Sequence, residues 1–77
     1  MKTMHIGALT LTQAESGSGV YLATNGAGER VGSLWRDDYG SWAACRHLAE
    51  NVTEQLGSGS TKLEKSARFF FRAHIGD

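Results

Sequence analysis

The sequence predicts an α+β fold: a four-stranded antiparallel sheet in the order β-β-β-α-β, with one amphipathic helix packed on one face. Three observations carry this expectation. Short runs of β-forming residues between His5 and Arg36 are separated by glycine-rich turns. A stripe of apolar residues then recurs at steps of three and four from Trp42 to Leu56. Last, the tail Ser66-Ala67-Arg68-Phe69-Phe70-Phe71-Arg72-Ala73-His74-Ile75 alternates at a period of two.

The first strand is expected within His5–Thr12, on Ile6, Leu9, Thr10, Leu11 and Thr12. Gln13 to Gly19 is small and polar and reads as a loop. Val20–Thr24 is the second strand. Asn25-Gly26-Ala27-Gly28 is a turn opened by Asn-Gly, the strongest short hairpin signal. Arg30–Arg36 is the third strand, with Val31, Leu34 and Trp35. These three make an antiparallel meander.

Asp37-Asp38-Tyr39-Gly40-Ser41 then reads as a helix start, because Asp and Ser side chains accept hydrogen bonds from free backbone N–H groups. The expected helix spans Trp42–Leu56. Trp42, Cys45, Ala49, Val52 and Leu56 form its apolar stripe, and Arg46, Glu50 and Glu54 its polar side. Arg46 and Glu50 are four apart, an ion-pair spacing. Gly57 sits where a glycine would end the helix.

Ser58-Gly59-Ser60-Thr61 reads as a flexible loop, and Lys62–Lys65 as a short helical turn. In the tail, Ala67, Phe69, Phe71, Ala73 and Ile75 would share an apolar strand face. Arg68, Phe70, Arg72 and His74 would share the opposite one. Leu63, Ala67, Phe70 and His74 also recur at helical spacing, which is the alternative; the cleaner alternation favours the strand.

Residues 1–77 leave room for a single domain with one small core. Hydrophobic residues are 40% and charged residues 21%, a globular balance that argues against disorder. Formal net charge is zero, so no global field draws the chain to nucleic acid or to a lipid surface. The one cysteine, Cys45, excludes an intrachain disulfide and fits a reducing, cytoplasmic setting. No apolar run approaches the ~20 residues that span a bilayer. The start, Met1 to Ile6, lacks the apolar core of a signal peptide.

Candidate chemistry is sparse. Cys45 and His47, two apart on the expected helix, would point in different directions and form no dyad. One cysteine and the scattered His5, His47 and His74 do not supply a zinc site. Gly57-Ser58-Gly59-Ser60-Thr61-Lys62 lacks the spacing of a phosphate loop and reads as a turn. No catalytic set, metal or cofactor is therefore expected, and the chain reads as a non-enzyme.

Charge distribution points to binding. From Ser58 to Asp77, Lys62, Lys65, Arg68 and Arg72 outnumber Glu64 and Asp77. Two surfaces stand out. The tail face of Arg68, Phe70, Arg72 and His74 could meet phosphates or an acidic protein surface. The corner of Trp35, Arg36, Asp37, Asp38 and Tyr39 carries the aromatic and arginine content that interfaces favour. An exposed edge strand or Phe70 would serve a homodimer; otherwise the chain is a monomer.

In size and layout the chain resembles the small accessory proteins of phages and mobile elements, anti-CRISPR proteins among them. The resemblance covers the His5–Arg36 meander, the Trp42–Leu56 helix and the tail. It implies inhibition of a larger complex by occlusion of a protein surface, with a CRISPR effector subunit as the type of partner, in the host cytoplasm. Acidic mimicry of nucleic acid does not suit a neutral chain. The other reading is a small nucleic-acid-binding module on the cationic strand face, since three strands with a helix resemble the arm-type domains of phage integrases. Zero net charge favours the protein partner.

Overall fold

The computed structural model describes residues 2–17, 19–49 and 51–75. It corrects the expected fold. The sheet has six strands, all antiparallel and adjacent in chain order: β1 Thr3–Ile6, β2 Leu9–Gln13, β3 Val20–Thr24, β4 Arg30–Arg36, β5 Trp42–Ala49 and β6 Val52–Ser58. Two helical segments follow, α1 Leu63–Phe70 and α2 Arg72–Ile75. The expected Trp42–Leu56 helix is a β-hairpin, and the expected tail strand is helical.

The expected first strand is itself a hairpin. Gly7, at φ +59°, and Ala8 form a two-residue connection between Ile6 and Leu9, where a tight hairpin needs a positive φ. The β3–β4 and β4–β5 turns share one design. Asn25 Oδ1 accepts from Ala27 N (2.9 Å) and Glu29 N (3.0 Å). Asp37 Oδ1 accepts from Tyr39 N and Ser41 N, both at 2.9 Å. In each, a glycine (Gly28, φ +82°; Gly40, φ +83°) closes the turn. Asp37 thus does the chemistry expected of a helix cap, satisfying two backbone donors, but inside a β-turn.

The fifth and sixth strands turn at Asn51, whose φ of +62° places it in the left-handed region that asparagine tolerates. Local propensity misleads here, because Ala, Leu and Glu favour helix in isolation. The sheet overrides it: Trp42, Ala43 and Ala44 are all buried, with Leu34 pairing Ala44. Glu50, half of the expected Arg46–Glu50 pair, lies outside the described residues. Arg46 instead bonds Glu54 across the hairpin, where direct pairing puts them on one face.

The tail is helical for the converse reason. Residues 62–75 have one β-branched residue, Ile75, and are otherwise rich in Leu, Glu, Lys, Ala and Arg. Leu63, Ala67, Phe70, Phe71 and Ile75 face the sheet, close to the helical alternative. Phe71 is 1% exposed and joins Leu9, Leu11, Leu34 and Ala44 in the core.

Phe71 lies over Gly32 of β4. A Cβ at Gly32 would fall 2.6 Å from the Phe71 ring and would also meet the carbonyl of Cys45. Glycine is therefore required for helix and sheet to meet. At the far end, Ala8 N donates to Ile75 O at 2.7 Å, tying the second helical segment to the first hairpin.

Gly32→Ala should lower stability by about 1–3 kcal/mol, towards the upper end because one obstructing neighbour is backbone. Urea denaturation reads this directly. An unchanged midpoint would show that Phe71 does not pack as described.

Candidate functional site

The helical tail disperses the expected binding face, because residues two apart on a helix point apart. Arg68 is exposed and bonds Glu64, Nε to Oε2, at 3.0 Å. Arg72 is exposed. Phe70 and His74 are half-buried, and Phe70 packs on the core. The four do not form one surface.

The corner is built as a turn. Arg36, Asp38 and Tyr39 are exposed, and Tyr39 reaches 92%. Trp35 and Asp37 are half-buried. Arg36 Nε donates to Gly40 O at 3.4 Å. Asp37 is the organiser. Besides its two backbone bonds, its Oδ2 accepts from Ser58 Oγ at 2.8 Å. That bond, first, and then the Ser41 and Tyr39 N–H groups hold its carboxyl below the ordinary value of 3.8, against a smaller opposing effect of desolvation.

Ser58 leads to a feature that the sequence reading missed. Ser58, Gly59, Ser60, Lys65 and Phe69 line an open groove of about 530 Å³. Phe69 is 72% exposed. It is braced edge-on by Phe70, with ring centroids 5.1 Å apart. Ser60 is held in place by Ser66, fully buried, whose Oγ accepts from Ser60 N (2.8 Å) and donates to Ser60 O (3.1 Å). Gly59 passes so close that a Cβ there would sit 2.9 Å from both Phe70 and Ser66.

Lys62, Lys65, Phe69 and Arg72 make an exposed stripe in sequence order: Lys65 and Phe69 lie one turn apart on α1, Lys62 at its N-cap and Arg72 at the start of α2. Among the described residues, the two ion pairs, Arg46–Glu54 and Arg68–Glu64, involve none of these three cations. The stripe was readable in the sequence at helical spacing, but the strand assignment hid it. The Asp37–Ser58 bond now joins the corner to the groove, so one of the two expected regions adjoins a surface that replaces the other.

The structure also corrects the argument about Cys45 and His47. On β5 they share a face instead of diverging. Their strand spacing is about 6.6 Å, and Cys45 Sγ lies 3.1 Å from Ser33 Oγ. Among the described residues no group of three or more His, Cys, Asp or Glu is arranged to hold a metal ion, and no helix is long and apolar enough to cross a membrane.

Two outcomes are expected. Ser66→Ala should cost about 1–3 kcal/mol, since it strips a buried partner from Ser60; the same urea midpoint measures it. Asp37 has a lowered folded-state pKa, so its stabilisation is present above 3.8 and is lost as pH falls through the lower folded value. The stability gap between the wild type and Asp37→Asn should therefore narrow in acid. A gap independent of pH would contradict this assignment.

No family model matches the chain, and comparison with curated proteins and with solved structures finds no match.

Proposed function

We propose that this chain is a non-catalytic binding protein that inhibits a larger macromolecular complex by occluding a protein surface, in the manner of anti-CRISPR proteins. The observation that carries the reading is Phe69, 72% exposed beside the groove, with Lys65 one turn before it on α1 and the exposed Lys62 and Arg72 just outside that helix. A large ring held in water by a rigid scaffold, beside cations without ion-pair partners among the described residues, is the composition of an interface hot spot. Tyr39, 92% exposed on the adjoining turn, extends it.

The charge of the stripe supports an acidic protein surface as the partner, and a CRISPR effector subunit in the host cytoplasm is the first partner to test. The second reading is a nucleic-acid-binding module, favoured by the same three cations around an aromatic ring. Zero net charge weighs against it, because such modules carry a basic footprint.

The test is phage plating on a host whose CRISPR system targets that phage. The wild-type chain should restore plaques. Phe69→Ala with Lys65→Glu should abolish the effect, through binding weakened about tenfold or more, while its unfolding midpoint stays unchanged. Failure of the wild type across effector types would reject the inhibitory function. Retention of single- or double-stranded DNA or RNA probes, weakening steeply as salt rises, would replace the protein partner with nucleic acid.

A further inference from the structure

The helical segments cover one face of the sheet, where Phe71 lies over Gly32. The register fixes what the other face carries, because directly paired residues share a face. Thr3, Thr12, Leu22, Ser33, Cys45 and Gln55 form one continuous row across all six strands. His5, Thr10 and Thr24 lie on one side of that row, and Val20, Trp35 and Ala43 on the other. The contact of Ser33 Oγ with Cys45 Sγ and the bond of His5 Nδ1 with Thr10 Oγ1, at 3.2 Å, fit this arrangement.

The distribution of charge on the two faces is the reverse of the usual one. In a sheet with one covered face, charges normally point to water. Here Arg36, Arg46 and Glu54 all stand on the helix side: Arg36 opposite buried Trp42, Arg46 opposite Gly32, and Glu54 opposite Arg46. The open face carries hydroxyls, Leu22, Val20 and Trp35 across its middle, with His5, His47 and Arg30 towards one end, Arg30 opposite Thr24. Leu22 and Trp35 are half-buried and Val20 is 37% exposed.

We propose that the open face is an interface between two copies of this chain, packed sheet to sheet as a two-layer sandwich. A face without charge across its middle can meet its own copy without burying or opposing like charges, which a twofold contact requires. Six strands about 4.8 Å apart, each contributing about five residues of about 3.3 Å, give a footprint on the order of 400 Å² per copy. Side-chain relief raises the accessible area towards the ~800 Å² per partner of a stable interface. The contact also supplies a second layer to a chain of 77 residues that alone buries a small core. It leaves Phe69 free on the helix side, with only Ser58 of the groove reaching the rim of the open face, so it stands independently of the proposed binding function.

Sedimentation equilibrium at about 100 μM tests this. The wild type should run as two chains of 8.3 kDa. Leu22→Lys should raise the dimer dissociation constant at least about 100-fold, by placing like charges at the contact. Thr12→Lys, in the same row but replacing no apolar side chain, should do the same and decides the matter if Leu22→Lys does not fold. Phe69→Ala should leave the dimer intact. A wild type that is monomeric at this concentration would overturn the proposal. So would a dimer that survives Thr12→Lys, or one that Phe69→Ala dissociates.

Discussion

The contact between Phe71 and Gly32 is the constraint on which the molecule rests. A six-stranded meander must cover at least one face, and among the described residues the helical segments after β6 cover it. To lie flat on the sheet, these segments must bring the Phe71 ring against the backbone of a central strand. Gly32 makes this possible, because any side chain there would meet both the ring and the neighbouring carbonyl. With Phe71 seated, Ala67 and Ile75 fall on the remaining core. Phe69, two residues away, is turned outward for the same geometric reason. Burial of one phenylalanine and display of another are thus two consequences of a single helix orientation.

The groove depends on the same docking. Ser66 lies one residue before Ala67, on the buried side, and binds both polar groups of the Ser60 backbone. The connection from β6 to the helix is therefore held at its centre by a fully buried hydroxyl, and its glycine passes between Phe70 and Ser66. Asp37 holds the other rim through Ser58. The exposed aromatic rings sit on supports that are individually satisfied, which limits the entropy lost when a partner orders them.

Local chemistry was legible in the sequence where it depends on few residues. The turns at Asn25–Glu29 and Asp37–Ser41 follow from a side-chain acceptor and a glycine three residues on, and the strand between them came out at its full length of Arg30–Arg36. The hairpin Trp42–Ser58 and the tail were exchanged in kind. Trp42, Cys45, Ala49, Val52 and Leu56 satisfy a helical period, yet β4 offers Trp35, Leu34 and Ser33 as a ladder, and that long-range pairing decides. A clearer signal lay in the spacing of turn residues at Gly7, Asn25, Asp37 and Asn51, which suits a run of short strands. Three consecutive phenylalanines hid the tail helix. Once the tail was read as a strand, Lys62, Lys65, Phe69 and Arg72 could not be seen as one stripe, although all four were in view.

The order of the strands has a consequence for how this chain comes into being. Each strand pairs with the one made just before it, so the sheet can assemble from neighbours as synthesis proceeds, at little cost in loop closure. The cover arrives afterwards. Until residues 63–75 leave the ribosome, Leu9, Leu11 and Leu34 have nothing over them, and the Ala8–Ile75 bond that joins the second helical segment to the first hairpin cannot form. A nascent chain stalled before Leu63 would present an apolar sheet face to its surroundings, which makes emergence of the helical segment the step that ends this exposure.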